Sequence, residues 1–543
     1  FTAPCKGGCP IGQDIPEYIE LCRKGEYASA LRLITEKNPL PFITGTICAH
    51  NCMTKCMRNY YDEPVNIRAT KLVAAERGYE AYMAKIKAPA PVTDGRKVAV
   101  IGGGPTGMAA AYFVGRAGIP VTIFERSGVL GGIVRQVIPA FRISDDAIDH
   151  DVALMFKMGV EVKLNTEAPS VAELKAQGYT HIFFAVGAWK AGKLDIPGNV
   201  VPVIQWLKDM KAGKDVSLGH VAVVGGGNTA MDAARAALKA GAKSSTLVYR
   251  RTKKYMPADA EELEMAIADG VEFLELVAPV EQKDGKLVCE RMKLGDPDEK
   301  GRRKPVPTGE RVEIPCDTVV SAVGEKVESE IFTKNGITVD AKGIPDFKTN
   351  LEGVYAGGDA MRGPATVVEG IADAQYFANA VIGEAHKFSI PAKAVATREE
   401  AVAKKGILCE SAKCEGDRCL TCNVVCQVCA DVCPNRANVV IELPDGRQQI
   451  LHVDRMCNEC GNCAVFCPYD SAPYRDKFTL FLTKEGFDES VNNQGFLPLG
   501  GKKVLVRLNG KVFEADLDGE NDLPADIEVF IWTVLNKYAY LVG

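Results

Sequence analysis

Short apolar runs, each followed by a glycine-rich turn and an alanine-rich stretch, mark the middle of this 543-residue chain. Residues 97–101 predict a buried strand, residues 108–117 an α-helix and residues 121–125 a second, parallel strand. The same succession recurs over residues 221–250. We therefore predict an α/β fold class built on two separate βαβ folds.

The two ends of the chain show different patterns. Residues 1–90 predict amphipathic helices that lead into a stiff, proline-rich linker at 87–91. Residues 504–515 predict a β-hairpin, because Asn509-Gly510 favours a type I′ turn. The last part of the chain is therefore expected to form a small β module.

Composition and charge exclude several classes of protein. Hydrophobic residues make up 47% and charged residues 25%, which is ordinary for a globular protein and excludes a disordered chain or a coiled coil. The net charge of −5 provides no positive field for nucleic acid. The sequence has neither a long apolar run nor a secretory segment, so we expect no membrane span and a cytoplasmic location. The chain begins at Phe1 rather than Met, which is typical of a fragment or a processed chain.

The distribution of the 19 cysteines changes the picture most. Six lie in residues 1–56 and eleven in residues 409–467. Two dense groups in a chain long enough to bury large cores favour metal sites over a disulfide scaffold. The run Cys457-x2-Cys460-x2-Cys463-x3-Cys467-Pro468 is the bacterial ferredoxin pattern. The earlier run Cys422-x3-Cys426-x2-Cys429-x3-Cys433-Pro434 departs from it by one residue.

These two runs predict two [4Fe–4S] clusters with crossed ligands, since the last cysteine of each run binds the other cluster. The first set would be Cys422, Cys426, Cys429 and Cys467, and the second Cys457, Cys460, Cys463 and Cys433. Cys419 is a rival to Cys422, and Cys409, Cys414 and Cys419 could hold a further site or none. Zinc is the alternative metal for such pairs.

The N-terminal group gives a weaker signal. Its five closely spaced candidate ligands are Cys5, Cys9, Cys48, Cys52 and Cys56. Zinc or plain buried thiols are alternatives to iron here. Cys22 falls within a predicted helix and is expected to belong to the core.

The glycine turns identify both βαβ folds as candidate dinucleotide sites. Gly102-x-Gly104-Pro105-x-Gly107 follows a strand and opens a helix, so its backbone can approach a pyrophosphate at the helix N-terminus. Glu125 ends the next strand, where an acid can accept hydrogen bonds from ribose hydroxyls. In the second fold, Gly225, Gly227, Asn228, Thr229 and Ala230 form the equivalent turn.

The second fold carries basic rather than acidic residues at the corresponding strand end. Arg250 and Arg251 stand there, and two guanidiniums suit the 2′-phosphate of NADP. A solvated basic edge is the alternative. The late motif Gly358-Asp359, before a helix that starts near Thr366, is typical of the flavin side of flavoproteins with two dinucleotide folds. Two short runs that end at Gly187 and Gly324 would be the crossings between the domains.

Together these motifs predict two Rossmann-like domains, one split by the other, between iron–sulfur domains. The expected divisions are a helical iron–sulfur domain (1–90), an FAD domain in two parts (91–215 and 321–393), an inserted NAD(P)H domain (216–320), a ferredoxin-like domain (394–475) and a small β module (476–543).

Several motifs resemble the small-subunit family of glutamate synthase, which includes the N-terminal half of dihydropyrimidine dehydrogenase. They are residues 38–41, the cysteine run 48–56, Gly131-Gly132 with residues 138–142, and residues 249–258. The C-terminal runs 418–422 and 433–438 are similar to the C-terminal part of proteins named selenate reductase iron–sulfur subunits. The resemblance implies further cofactor contacts at Arg126, Gly131, Gly132 and Arg142.

The resemblance also implies two N-terminal clusters. One would use Cys5 and Cys56 with an upstream Cys-x2-Cys pair that this sequence does not show. The other would use Cys9, Cys48 and Cys52 with a Gln or Glu, where this chain has Lys71. A protonated lysine has no lone pair for iron. We therefore expect at least one N-terminal cluster; if only one forms, Cys5 or Cys56 would be the fourth ligand beside Cys9, Cys48 and Cys52.

The expected function is electron transfer between NADPH (or NADH), FAD, [4Fe–4S] clusters and a partner catalytic subunit or upstream domain. Partner candidates are ferredoxin or a molybdenum- or FMN-containing subunit, which implies a complex. The alternatives are an electron-bifurcating or confurcating NAD(P)H:ferredoxin oxidoreductase subunit, a self-contained reductase of a small substrate, and a scaffold. No side chains form a nucleophile–base set, so we predict no catalytic residue, and the six histidines are expected to be structural.

Overall fold

The computed structural model describes residues 2–60, 62–214, 216, 218–297, 303–383, 395–404, 413–490, 493–519 and 521–543. Within these ranges, no helix combines the length and the apolar character that crossing a membrane requires.

The N-terminal part is entirely helical. Three of its helices begin with a proline in the first turn, where the missing N–H would have no partner in any case. Asn66 caps the last and longest helix by accepting a hydrogen bond from the backbone N–H of Ala69 (3.2 Å). The helices are α1 (Pro4–Gly7), α2 (Ile15–Arg23), α3 (Tyr27–Thr35), α4 (Pro41–Ile47), α5 (Asn51–Thr54) and α6 (Ile67–Met83).

Strands and helices then alternate to form the first α/β fold. The strands Val98–Ile101 and Val121–Phe124 are buried at all four residues, and His181–Phe184 is buried at its last three, as expected for a parallel sheet covered on both faces. The elements are β1 (Val98–Ile101), α7 (Pro105–Arg116), β2 (Val121–Phe124), α8 (Gly132–Gln136), α9 (Asp145–Phe156), β3 (Glu161–Lys163), α10 (Val171–Ala176) and β4 (His181–Phe184).

The second α/β fold repeats the alternation and carries an antiparallel three-stranded sheet, β10-β11-β12. Its elements are β5 (Lys190–Ala191), β6 (Val200–Pro202), α11 (Val203–Lys211), β7 (His220–Gly225), α12 (Asn228–Lys239), β8 (Ser244–Tyr249), α13 (Ala260–Ala268), β9 (Glu272–Glu275), β10 (Val277–Lys283), β11 (Lys286–Pro297), β12 (Arg303–Pro315), β13 (Thr318–Ala322) and β14 (Glu325–Lys326).

The chain then returns to the first fold through α14 (Glu330–Thr333), β15 (Val354–Ala356), α15 (Asp359–Arg362) and α16 (Val367–Ile382). The first sheet has the order β15-β4-β1-β2-β3 and the second β6-β13-β7-β8-β9, with all neighbours parallel. The short antiparallel pair β5–β14 lies where the chain crosses between them. We expected the second domain to begin after residue 215. In the structure, β6 lies before this residue but already pairs with β13 in the second sheet.

The C-terminal part forms one six-stranded sheet in the order β16 to β21. This sheet joins strands on both sides of residue 476. We expected the ferredoxin-like segment and the β tail to be separate, but they share one sheet. In the hairpin β20–β21, Asn509 (φ 50°) and Gly510 (φ 76°) have the two positive φ angles of a type I′ turn. The elements are α17 (Arg398–Ala403), α18 (Glu415–Arg418), α19 (Val428–Asp431), β16 (Asn438–Glu442), β17 (Gln448–Val453), α20 (Asn462–Val465), α21 (Pro473–Asp476), β18 (Thr479–Leu480), α22 (Lys484–Glu489), β19 (Gly495–Gly500), β20 (Lys503–Leu508), β21 (Lys511–Asp516) and α23 (Ala525–Lys537).

A buried carboxyl group joins the N-terminal helices to the first α/β fold. Asp151 of α9 accepts hydrogen bonds from the backbone N–H groups of Phe42 (3.1 Å) and Ile43 (2.8 Å) at the start of α4. Burial raises the pKa of Asp151 well above its usual value, and the two N–H donors oppose that shift. This contact fixes the N-terminal cysteines relative to the first dinucleotide fold.

Candidate functional site

The first glycine turn lies between β1 and α7, and its glycines serve different purposes. A Cβ at Gly102 would lie 2.4 Å from the carbonyl oxygen of Ala185, and one at Gly107 would lie 2.0 Å from that of Gly102, so packing requires both glycines. At Gly104 the nearest atom would be 3.8 Å away, and its φ of −75° suits any residue. The open space at the N-terminus of α7 is what a bound pyrophosphate needs, so the turn fits a dinucleotide.

Glu125 holds this turn in shape. Its buried carboxylate accepts hydrogen bonds from the backbone N–H groups of Gly103 and Ser127, both at 2.7 Å. Two carboxylate oxygens offer about four acceptor positions, so capacity for ribose hydroxyls remains. Arg126, in contrast, pairs with Glu328 and stacks over Trp189.

The segment after β15 packs directly against the first turn. A Cβ at Gly358 (φ 64°) would lie 2.3 Å from the hydroxyl oxygen of Thr106 in α7. Asp359 follows, and its carboxylate accepts a hydrogen bond from the backbone N–H of Ala365 (3.1 Å). Burial raises the pKa of Asp359 to about 7. Thr366 caps α16, so its hydroxyl is engaged within the protein.

Two glycines that we predicted to contact the cofactor lie beside the first glycine turn. Gly131 (φ 110°) and Gly132 (φ 54°) both adopt left-handed backbone conformations before α8. A Cβ at Gly132 would lie 2.9 Å from the Cα of Gly104. The crossing glycines Gly187 and Gly324 also have positive φ angles, of 73° and 104°.

The second glycine turn, between β7 and α12, is open in the same way. A Cβ at Gly225 would lie 2.3 Å from the carbonyl oxygen of Ala322, whereas a Cβ at Gly227 (φ −96°) would meet no atom within 4 Å. Neither packing nor backbone conformation therefore explains the glycine at 227. Asn228 exchanges hydrogen bonds with Asp259, and Thr229 and the buried Ala230 continue into α12.

The two arginines beyond β8 lie in different surroundings. Arg250 is exposed directly after the last residue of the strand. The half-buried Arg251 donates a hydrogen bond to the carbonyl oxygen of Arg303 (3.3 Å). Arg250 thus has the freer guanidinium for a phosphate at this edge.

Arg142, which we expected to contact a cofactor, lies between the two α/β folds. Its guanidinium pairs with Asp232 of α12 (3.0 Å) and Glu262 of α13. The loop of the first fold is thereby tied to two helices of the second. These two acids occupy Arg142 in this arrangement.

The C-terminal cysteines form two groups. Four of the predicted crossed ligands line one cavity with Tyr474: Cys433, Cys457, Cys460 and Cys463. Cys426, Cys429 and Cys467 are electrostatic neighbours in a second group, beside the hydroxyl of Tyr469. The thiols of Cys426 and Cys429 have pKa values raised by burial, to about 12 for Cys429.

Cys422 lies near two groups of cysteines, because it is an electrostatic neighbour of Tyr469, as Cys426 and Cys467 are. It lines a further cavity together with Cys419 and with two cysteines of the N-terminal helices, Cys5 and Cys56. Sequence spacing treated Cys419 and Cys422 as rivals, whereas the structure brings both to the same cavity. Cys5 is also an electrostatic neighbour of Cys52, so its expected role as a fourth ligand beside Cys9, Cys48 and Cys52 stays a prediction.

The remaining N-terminal cysteines surround a buried lysine. Cys9, Cys48 and Cys52 are mutual electrostatic neighbours, and Lys71 of α6, 7% exposed, acts on Cys9 and Cys52. Burial raises the pKa of Cys52 to about 12, and the charge of Lys71 opposes the rise. These residues offer three thiolates, and the ammonium group of Lys71 cannot donate to iron.

The spacing of the ligands bears on the kind of metal site that they could form. Across the described ranges, no three His, Cys, Asp or Glu side chains are close enough to share one metal ion. A tetrahedral zinc site would hold its sulfurs roughly 3.8 Å apart, from Zn–S bonds of about 2.3 Å. A [4Fe–4S] cluster instead takes its four thiolates on the irons of a cubane. Cys409 lies outside the described residues, and Cys414 is exposed.

His50, His452 and Cys22 each contact other groups of the protein. His50 (φ 42°) contacts the carbonyl oxygen of Cys48 and the guanidinium of Arg68, both at 3.2 Å. His452 is buried against Asn438, and burial lowers its pKa to about 4. Cys22 packs among apolar residues of α2 and α3. The sequence analysis missed Arg58 and Thr421, which line the cavity of Cys5. The available signals were the nearness of Arg58 to Cys56 in sequence and the position of Thr421 between Cys419 and Cys422.

Two family profiles match the chain. Residues 96–374 match the pyridine nucleotide-disulphide oxidoreductase profile, and residues 1–82 match dihydropyrimidine dehydrogenase domain II, 4Fe-4S cluster. These matches confirm the predicted α/β fold class and oxidoreductase activity class, with FAD, NADP(H) and 4Fe–4S cofactors.

Curated relatives agree with the profiles. YgfK of Escherichia coli K12, named as an oxidoreductase, is 41% identical over 100% of this chain and 56% of its own length. The NADPH-Fe(3+) oxidoreductase subunit beta of Geobacter sulfurreducens is 36% identical over 71% of this chain and 62% of its own.

The glutamate synthase [NADPH] small chain of E. coli K12 is 30% identical over 70% of this chain and 88% of its own length. The chain thus spans about half the length of YgfK but most of the length of the small chain. The predicted resemblance is therefore confirmed: the chain belongs to the pyridine nucleotide-disulphide oxidoreductase family and is a relative of the glutamate synthase small chain.

Proposed function

We propose that this chain is the NADPH-dependent electron-transfer part of a larger oxidoreductase. It would connect NADPH, through FAD and [4Fe–4S] clusters, with a partner catalytic subunit or domain. FAD, when bound, exchanges a hydride with nicotinamide and single electrons with clusters. The observation that carries the proposal is the pair of open glycine turns at Gly104 and Gly227. The same chain has cysteine-lined cavities whose cysteines come from the sequence before and after these turns.

The residues of this chain would bind and position the cofactors rather than perform acid–base chemistry. The N-termini of α7 and α12 would each receive a pyrophosphate, and Glu125 would orient the adenosine ribose of FAD. Arg250 and Arg251 would favour NADPH by contacting its 2′-phosphate. The buried contact of Asp151 with α4 supports electron transfer between the N-terminal part and the flavin fold, since it holds these two parts of the chain together.

A partner is proposed from the relatives. Two of them are named as parts of larger enzymes: an NADPH-Fe(3+) oxidoreductase subunit beta and a glutamate synthase small chain. The electron acceptor of this chain would accordingly lie in another subunit or in another part of a longer polypeptide.

Anaerobic reduction by NADPH tests the proposal. The purified protein should lose flavin and iron–sulfur absorbance together on addition of NADPH, and should then reduce ferricyanide over many turnovers. Arg250→Ala should weaken both responses to NADPH by the same factor. Reduction of the flavin with clusters that stay oxidised, at all NADPH concentrations, would contradict a path that includes the clusters.

A further inference from the structure

Four cysteines from opposite ends of the chain meet at one cavity. Cys5 and Cys56 come from the N-terminal helices, and Cys419 and Cys422 come from the segment before the ferredoxin-like cysteines. Apart from these cysteines, the lining of the cavity is mainly apolar. Cys419, Cys422 and Cys56 are electrostatic neighbours of the Cys5 thiol, and Cys52 is a further one.

The two segments are held together by a specific interface. Arg418, 5% exposed, donates hydrogen bonds to the carbonyl oxygens of Glu63 (2.6 Å) and Pro64 (3.4 Å) and pairs with Asp62 (3.3 Å). The carboxylate of Glu415 accepts a hydrogen bond from the backbone N–H of Asn66 (2.8 Å). These contacts bring Cys419 to the N-terminal cysteines.

Close backbone packing and a buried ion pair extend the same interface. A Cβ at Gly416 would lie 2.5 Å from the Cβ of Arg23 in α2, so the glycine permits this approach. Lys404 pairs with Glu20 at 2.7 Å, with side chains 8% and 1% exposed. A buried pair of this kind requires a well-defined docking of the two segments.

The lining of the cavity suits an anionic cluster. A [4Fe–4S]²⁺ core with four thiolates carries a net charge of about −2 (2 − 4). The fully buried Arg58 lines the cavity, and the charges of Arg418 and Arg58 oppose the rise that burial causes in the pKa of Cys56. Thr421, 1% exposed, also lines it, and its hydroxyl finds no partner among the residues that the structure describes. That hydroxyl is available to a cluster sulfur, a contact that tunes the reduction potential.

We propose that Cys5, Cys56, Cys419 and Cys422 hold one [4Fe–4S] cluster, which joins the N-terminal helices to the C-terminal module. Cys422 then belongs to this composite site, and Cys426, Cys429 and Cys467 remain as the thiolates of the neighbouring ferredoxin site. The inference goes beyond the proposed function, because it assigns ligands and is independent of the electron donor and acceptor.

Iron analysis of variants tests the composite site. Cys5→Ala and Cys419→Ala, purified anaerobically as the full chain, should each lose about four iron per FAD, the content of one cubane. The double variant should also lose about four, because both residues serve the same cluster. Cys414→Ala is the matched control, since this exposed thiol of the same segment should cost no iron. Additive loss of about eight, or full iron in Cys419→Ala, would overturn the proposal.

Alkylation of the wild-type protein provides a test that needs no variant to fold. With iron bound, Cys5, Cys56, Cys419 and Cys422 should all resist alkylation while Cys414 reacts. Anaerobic removal of iron by a chelator should release the four thiols together. Alkylation of Cys419 while the protein retains its full iron content would overturn the assignment, as would release of Cys422 at a different stage from Cys5.

Discussion

Gly227→Ala should separate nucleotide binding from folding. A Cβ at this position meets no protein atom within 4 Å, and the φ of −96° is ordinary for alanine. The added methyl group would instead enter the space where a pyrophosphate approaches the N-terminus of α12. We therefore expect a folded protein that retains FAD and binds NADPH poorly.

The expected magnitudes follow from two opposing effects on folding and one on binding. Alanine in place of glycine at a helix N-cap costs roughly 0.5–1 kcal/mol. The reduced freedom of the unfolded chain returns about 0.4–1 kcal/mol. The net change in the free energy of unfolding should thus stay within about 0.5 kcal/mol. Loss of one hydrogen bond to a charged phosphate, worth roughly 1.5–3 kcal/mol, corresponds to about a tenfold to 100-fold increase in Kd.

Calorimetric titration with NADP⁺, alongside FAD content and the unfolding midpoint, measures both effects. Gly225→Ala is the matched contrast, because its Cβ would lie 2.3 Å from the carbonyl oxygen of Ala322 and should damage the fold itself. An unchanged Kd in Gly227→Ala would refute the assignment of this turn to the nicotinamide dinucleotide.

Three further predictions follow from other parts of the structure. Arg250→Ala and Arg251→Ala should raise the KM for NADPH more than that for NADH, with Lys254→Ala as the control; equal effects on both nucleotides would contradict phosphate recognition. Cys433→Ala should remove the paramagnetic signal of the cluster at Cys457, Cys460 and Cys463, and loss of only the other ferredoxin signal would contradict the crossed ligands. Burial raises the pKa of Glu17 from 4.5 to about 7. Between these two pH values the folded state holds a proton that the unfolded state has lost, so the free energy of unfolding should fall as the pH rises from 4.5 to about 7. Glu17→Gln should flatten this dependence of the unfolding midpoint, and an unchanged slope would show that another group causes it.

Local patterns carried the sequence predictions that agree with the structure. The strand predicted at 97–101 is β1 (Val98–Ile101), and the one at 121–125 is β2 (Val121–Phe124). Both strands are fully buried, and β1 is followed directly by a turn in which packing requires Gly102 and Gly107. The type I′ hairpin is equally local, since two adjacent residues determine it.

Non-local pairing accounts for the differences. Strand β6 has only three residues, too few for its sequence to indicate which sheet it joins. Its pairing with β13 places it in the second sheet. The β tail likewise extends the sheet that begins at β16, through pairing between distant residues. The place of Cys422 depends on the docking of Arg418 against residues 62–64, which cysteine spacing does not encode.

The ratio of iron and acid-labile sulfide to FAD in anaerobically purified protein tests the central claim most directly. Two ferredoxin sites and the composite site at Cys5 predict about 11 to 12 iron atoms per FAD, or more if Cys9, Cys48 and Cys52 also bind iron, with sulfide in similar amount. A ratio of about eight or fewer would contradict a chain that carries clusters toward both of its ends.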